Sequence, residues 1–146
     1  MIRNILVVCT GNICRSPMAE GLLRSVYGKR VDFSVSSAGV AALVGESPAE
    51  EAVTAMRSHG IDISACRARQ CDGKLLTQAD LVLVMEEMQR KWIHYQHPQT
   101  RGKVFLMGHW RKGEVVPDPY GQPHERFEQV LLQLDQHVKD WLQVLK

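Results

Sequence analysis

A cysteine and an arginine separated by five residues stand in Cys9-Thr10-Gly11-Asn12-Ile13-Cys14-Arg15-Ser16-Pro17, directly after the apolar run Ile5-Leu6-Val7-Val8. The run reads as a buried strand, Pro17 as the first residue of a helix and Ser16 as its cap. The loop then hangs between the carboxyl end of a strand and the amino end of a helix. Open α/β sheets bind anions there, because unpaired N–H groups and the helix dipole both face outward. One stretch thus points to an α/β architecture and to anion chemistry together.

The spacing has a chemical reason. The thiolate is the reactive form of cysteine, and a helix amino end beside a guanidinium favours it. The loop N–H groups would hold the oxygens of a tetrahedral dianion, with Arg15 gripping two of them bidentately. Cys9 would stand behind the phosphorus, in line with the leaving oxygen. The nucleotide-binding pattern G-x-x-x-x-G-K-[ST] is absent, so this is not a nucleotide P-loop.

The remaining elements follow from periodicity. The helix after the loop carries Met18, Leu22 and Val26 on one stripe, with Leu23 beside them, and ends at Gly28. Gly21 inside it implies close backbone packing. Val31 to Ser37 alternates as an edge strand. Ser47-Pro48-Ala49-Glu50 reads as a capping box opening a helix that runs through Val53 and Met56 to Gly60. Leu81 to Met85 reads as a central parallel strand. Met88, Trp92 and Tyr95 mark a helix stopped by Pro98, and Lys103 to Met107 a fourth strand. Phe127, Leu131, Leu134, Val138, Trp141 and Leu145 form a core stripe on the last helix. Strands alternating with helices imply a three-layer α/β sandwich, with a four-stranded parallel sheet covered by helices on both faces.

A chain of 146 residues, 45% hydrophobic and 23% charged, fits a single domain over residues 1–146, with no repeat or linker. A net charge of +2 with scattered basic residues argues against nucleic acid as a partner. No stretch approaches the ~18 apolar residues of a membrane helix, and the N-terminal apolar run is too short for a signal peptide. Cys9, Cys14, Cys66 and Cys71 therefore read as reduced thiols of a cytoplasmic protein. His94 and His97 share a helix face without a third ligand, so they read as surface residues and no metal is expected. Val116-Pro117-Asp118-Pro119-Tyr120 excludes helix and central strand. Taken alone, its Asp-Pro is a turn; over a phosphate-holding loop, its carboxyl suits a proton donor.

The string Val8 to Pro17, with Asp118-Pro119-Tyr120 near the other end, resembles the low-molecular-weight protein tyrosine phosphatases over nearly the whole chain. Within them it looks most like the bacterial branch associated with exopolysaccharide or capsule export. The resemblance implies strand order 2-1-3-4 with the Cys9 loop at the switch point. It implies Cys9 as nucleophile, Arg15 as phosphate binder and Asp118 as general acid and then base, through a phosphocysteine and without cofactor or metal. Thr10, Gly11, Asn12, Ile13, Cys14 and Ser16 complete the substrate-binding loop, Asn12 and Ser16 matching residues that brace its backbone, as does Ser37. Tyr120 and Leu43 are the expected pocket walls.

Cys14 beside Cys9 suggests a reversible protective disulfide, or else a packed thiol. Gly121 stands where vertebrate relatives carry a second tyrosine, which excludes control by phosphorylation there. The family's H-x-A-R-Q segment stands here as Cys66-Arg67-Ala68-Arg69-Gln70, with cysteine where histidine normally supports the loop. The implied partner is a phosphotyrosine protein, a bacterial tyrosine autokinase of polysaccharide export, and phosphate-like anions are expected to compete. The competing reading in the same fold is a thiol-dependent arsenate reductase relaying a disulfide through Cys66 and Cys71. It leaves Asp118 and the aromatic wall without use. A phosphotyrosine-sensing module would need binding without turnover, yet nucleophile, arginine and acid are all present.

Overall fold

The computed structural model describes residues 1–28, 30 and 32–145. Strand β1 (Asn4–Cys9) is apolar at nearly every position because both its faces are covered. Ile5, Val7 and Cys9 face one core, and Leu6 and Val8 the other. Around it stand β2 (Ser34–Gly39), β3 (Leu81–Val84) and β4 (Val104–Leu106), all parallel in the order β2-β1-β3-β4. That is the expected topology, with β2 at an edge. The strand begins at Ser34, and Val31 lies outside the described residues.

Helices α1 (Arg15–Tyr27), α2 (Glu50–Ser58) and α5 (His124–Val144) build the first core with Ile5, Val7, Leu81 and Leu83. Helices α3 (Gly73–Gln78) and α4 (Glu87–Gln96) cover the opposite face through Leu76 and Ile93. All six positions of the predicted α5 stripe are buried, and the Trp141 indole donates to the Met107 carbonyl at 2.8 Å. A methyl group on Gly21 would meet Ile63 and Met56 at 2.9 Å, which is the close packing that its position implied.

Several local expectations are corrected. Helix α1 starts at Arg15, two residues early, and Ser16 caps nothing; its hydroxyl meets the Cys9 sulfur instead. The Ser47 capping box does not form: α2 begins at Glu50 with no side-chain cap, and the Ala49 N–H donates to the Ile13 carbonyl. Val26 is exposed, and Tyr27 takes the buried place and stacks on Phe33. On α4 the buried face is Gln89 and Ile93, while Met88 and Tyr95 are exposed. His94 and His97 are half-buried rather than on the surface. Helix α3, capped by the Asp72 side chain on the Leu75 N–H, had no periodic signal.

Candidate active site

At the carboxyl end of β1 the chain turns sharply into α1. Asn12 takes a left-handed φ of 60°, which asparagine tolerates better than most residues. Gly39, paired with Cys9 across β1 and β2, lies so near the Thr10 carbonyl that a Cβ there would overlap it. The turn leaves the amides of Gly11, Ile13, Cys14 and Arg15 without hydrogen bonds among the described residues.

The Asn12 side chain fixes the protonation pattern beneath the turn. Its Oδ1 accepts the Arg69 N–H at 3.0 Å, so its amide hydrogens point to Ser16 Oγ at 2.7 Å and Ser37 Oγ at 3.0 Å. Ser37 in turn donates to Glu20 Oε1 at 2.5 Å. Ser16 accepts from Asn12, so its single hydrogen is left for the Cys9 sulfur 2.9 Å away. The Asn12 N–H reaches the same sulfur at 3.3 Å. Two donors therefore converge on the Cys9 sulfur and fix its position beneath the turn.

Above this floor is a pocket of about 230 Å³. Cys9, Thr10, Gly11, Ile13, Cys14 and Arg15 line it from the loop. Leu43 and Tyr120 stand opposite, with Asp118 at the rim. Of the predicted site residues only Asn12 and Ser16 do not line it; both are buried beneath, as braces.

Arg15 is almost fully buried. Its Nη1 donates to the Glu86 carboxylate and, at 2.9 Å, to the Val116 carbonyl. Nη2 is left toward the pocket, 3.9 Å from Asp118 Oδ2. Val116 is itself held by its N–H on the Met85 carbonyl, so the loop carrying Asp118 is anchored at both the sheet and the guanidinium. Asp118 is half-exposed, and its Oδ1 accepts the Tyr120 N–H at 3.1 Å, which sets the tyrosine on the wall.

Burial pushes the Cys14 thiol up to about 12, with Asp118 and Cys9 adding to it. Cys14 thus stays protonated near neutrality and is a poor attacking sulfur. All four cysteines are free. Cys66 packs against one core and Cys71 lies within the other, and neither lines the pocket. His109 stacks on Trp141 and meets Trp110 edge-on, and His124 pairs with Glu128, so neither histidine flanking the acid loop reaches the pocket. Among the described residues no group of three or more His, Cys, Asp or Glu side chains is placed to hold a metal ion, and no helix is long and apolar enough to cross a membrane.

Two contributors escape the sequence reading. Glu86 orients Arg15, and the wholly buried Gln89 accepts from the Met85 and Glu86 amides while donating to Thr10 Oγ1 at 3.1 Å. Together they form the capping box of α4, and the pattern Glu86-x-x-Gln89 at the end of a central strand was the available signal.

Residues 4–146 match the family described as low molecular weight phosphotyrosine protein phosphatase. A probable low molecular weight protein-tyrosine-phosphatase EpsP of Ralstonia nicotianae is 46% identical over 143 residues, covering 97% of this chain and 95% of that one. The crystal structure of the tyrosine phosphatase Wzb of Escherichia coli K30 with sulphate superposes with a TM-score of 0.94 at 39% identity, covering all of both chains. Vibrio vulnificus Wzb in complex with benzylphosphonate gives 0.91 at 33% identity, covering 97% of each. With its cysteine loop, its strand order and this match across nearly its full length, the chain belongs to the low molecular weight phosphotyrosine protein phosphatase family.

Proposed function

We propose that the protein hydrolyses phosphotyrosine in proteins through a phosphocysteine on Cys9. The observation that carries this reading is the convergence of the Cys9 sulfur, the free edge of Arg15 and the Asp118 carboxyl on one pocket. Substrate phosphate sits in the turn, its oxygens held by the unbonded loop amides and by Arg15. The phenol ring lies between Leu43 and Tyr120. Cys9 attacks phosphorus while Asp118 protonates the departing phenolic oxygen; Asp118 then takes a proton from the water that releases phosphate. Charge on the equatorial oxygens meets fixed donors throughout. The complex of Vibrio vulnificus Wzb with benzylphosphonate, an aryl ring one carbon from a phosphorus acid, supports an aryl phosphate as the class of substrate.

The physiological substrate in this reading is a tyrosine autokinase of polysaccharide export, supported by the bacterial relatives named EpsP and Wzb. The cytoplasm is the matching compartment, since the Cys9 chemistry needs a reduced thiol.

The test is Asp118→Asn on a series of aryl phosphates. A general acid contributes about 10²–10⁴-fold, so kcat/KM, which reports the step that expels the phenol, falls by that order for poorly leaving phenols and far less for p-nitrophenol. Equal loss across the series would remove Asp118 from the proton-donor role.

A further inference from the structure

The wall formed by Leu43 and Tyr120 has two sides. Beyond it lies a second groove of about 630 Å³, which shares Ile13, Leu43 and Tyr120 with the catalytic pocket. Its surface is mixed, with exposed apolar side chains on its walls: Val44 is 68% exposed, Tyr120 61% and Leu43 49%, with Pro48 at the base. Contiguous exposed apolar side chains beside a pocket mark a surface that something covers.

The groove is also pre-formed. The Leu43 N–H donates to the Gly11 carbonyl at 3.1 Å and the Ala49 N–H to the Ile13 carbonyl at 2.8 Å. The Gly45 N–H and the Glu46 carbonyl pair with Ala68 at 2.9 Å each. Segment 43–49 is thereby tied to the phosphate loop itself, so its position is set relative to a bound phosphate.

Its charge is one-sided. Glu46 is the single ionisable carboxylate on the lining, which contains no cation. Glu50 and Glu51 follow in the first turn of α2, and the field of Glu51 reaches the pocket, where it helps raise the Cys14 thiol. Apolar side chains walling a groove that is edged by carboxylates suit a long aliphatic stem ending in a cation, which lays its methylenes on them and leaves its head at the rim.

We propose that this groove is a substrate subsite, filled by a lysine or arginine flanking the phosphotyrosine. The proposal rests on the phosphotyrosine reading above. It makes Val44 and Glu46 specificity determinants and predicts that an acidic neighbour is disfavoured.

The experiment uses one phosphotyrosine peptide frame with lysine, leucine or glutamate placed at successive positions on either side, and compares kcat/KM. At one or more positions lysine exceeds leucine and leucine exceeds glutamate. The lysine-to-glutamate ratio is about fivefold, the scale of a partly exposed ion pair. Glu46→Gln flattens that ratio and Glu46→Lys inverts it. A flat ratio in the wild type, or an unchanged ratio in Glu46→Lys, overturns the subsite. Free phosphotyrosine separates the two readings. If it is hydrolysed while the ratio is flat, the subsite alone fails; if neither it nor any peptide is hydrolysed, the phosphotyrosine reading fails with it.

Discussion

The pocket at the carboxyl end of the sheet encloses about 230 Å³ and holds one guanidinium, one carboxylate and two thiols. A second cavity, along the amino-terminal halves of β1 and β2, encloses about 640 Å³ and holds three guanidiniums, two carboxylates and one thiol. In the larger cavity the charges bind their own chain. Arg24 donates to the Val35 carbonyl and pairs with Glu20 at 3.0 Å; Arg67 donates to the Ser64 and Cys66 carbonyls, and Arg69 to that of Ser37. Asp62 closes a turn on the Ser64 N–H. In the smaller pocket Arg15 uses one nitrogen on the protein, the amides of Gly11, Ile13, Cys14 and Arg15 use none among the described residues, and Asp118 stays half-exposed. Charge committed to the backbone keeps a shape; charge left over meets a substrate. Size alone would have selected the wrong cavity.

The two regions are joined by the line Arg24, Glu20, Ser37, Asn12, Ser16, Cys9, each member within hydrogen-bond reach of the next. Cutting the line tests whether the rear serves the front. Asn12→Ala removes three hydrogen bonds and places alanine at a left-handed φ. A displaced reactive group costs on the order of 10²-fold, so kcat on p-nitrophenyl phosphate falls by about that much. Glu20→Gln keeps an acceptor for Ser37 but weakens the pairing with Arg24. The loss of kcat is smaller, about fivefold, with KM little changed. A larger loss for Glu20→Gln than for Asn12→Ala would place the chemistry's support in the rear cavity rather than in the turn.

The smallest effect on turnover belongs to the two thiols outside the catalytic pocket. Burial pushes the Cys71 thiol up to about 12 and raises that of Cys66. Cys66→Ser and Cys71→Ser leave aryl phosphate turnover intact. The buried Cys71→Ser hydroxyl costs stability, about 1–3 kcal/mol by denaturant midpoint. Arsenate turnover lost in either variant, with aryl phosphate hydrolysis absent in the wild type, would favour the disulfide relay of a reductase.

What the sequence revealed, and what it hid, follows the range of the forces involved. β1, the phosphate turn and α5 were legible because each is specified by near neighbours: an apolar run, a Cys-to-Arg spacing, a stripe repeating every three or four residues. Ser16 was misread as a cap because its partner, Cys9, lies across the turn, where a helix-start pattern does not look. Glu86 escaped because its partner, Arg15, is 71 residues distant and only the sheet brings them together. The Met88–Tyr95 stripe failed for a related reason. Polar Gln89 is buried by its bonds to the Met85 and Glu86 amides and to Thr10, which no hydrophobicity pattern records.

The account turns on a covalent bond between the Cys9 sulfur and phosphorus. Mixing the enzyme with radiolabelled p-nitrophenyl phosphate and quenching in acid during turnover tests it directly. The expected result is label on the peptide that contains Cys9, and neither label nor turnover in Cys9→Ala. Label on another residue, or turnover that survives in Cys9→Ala, would contradict it.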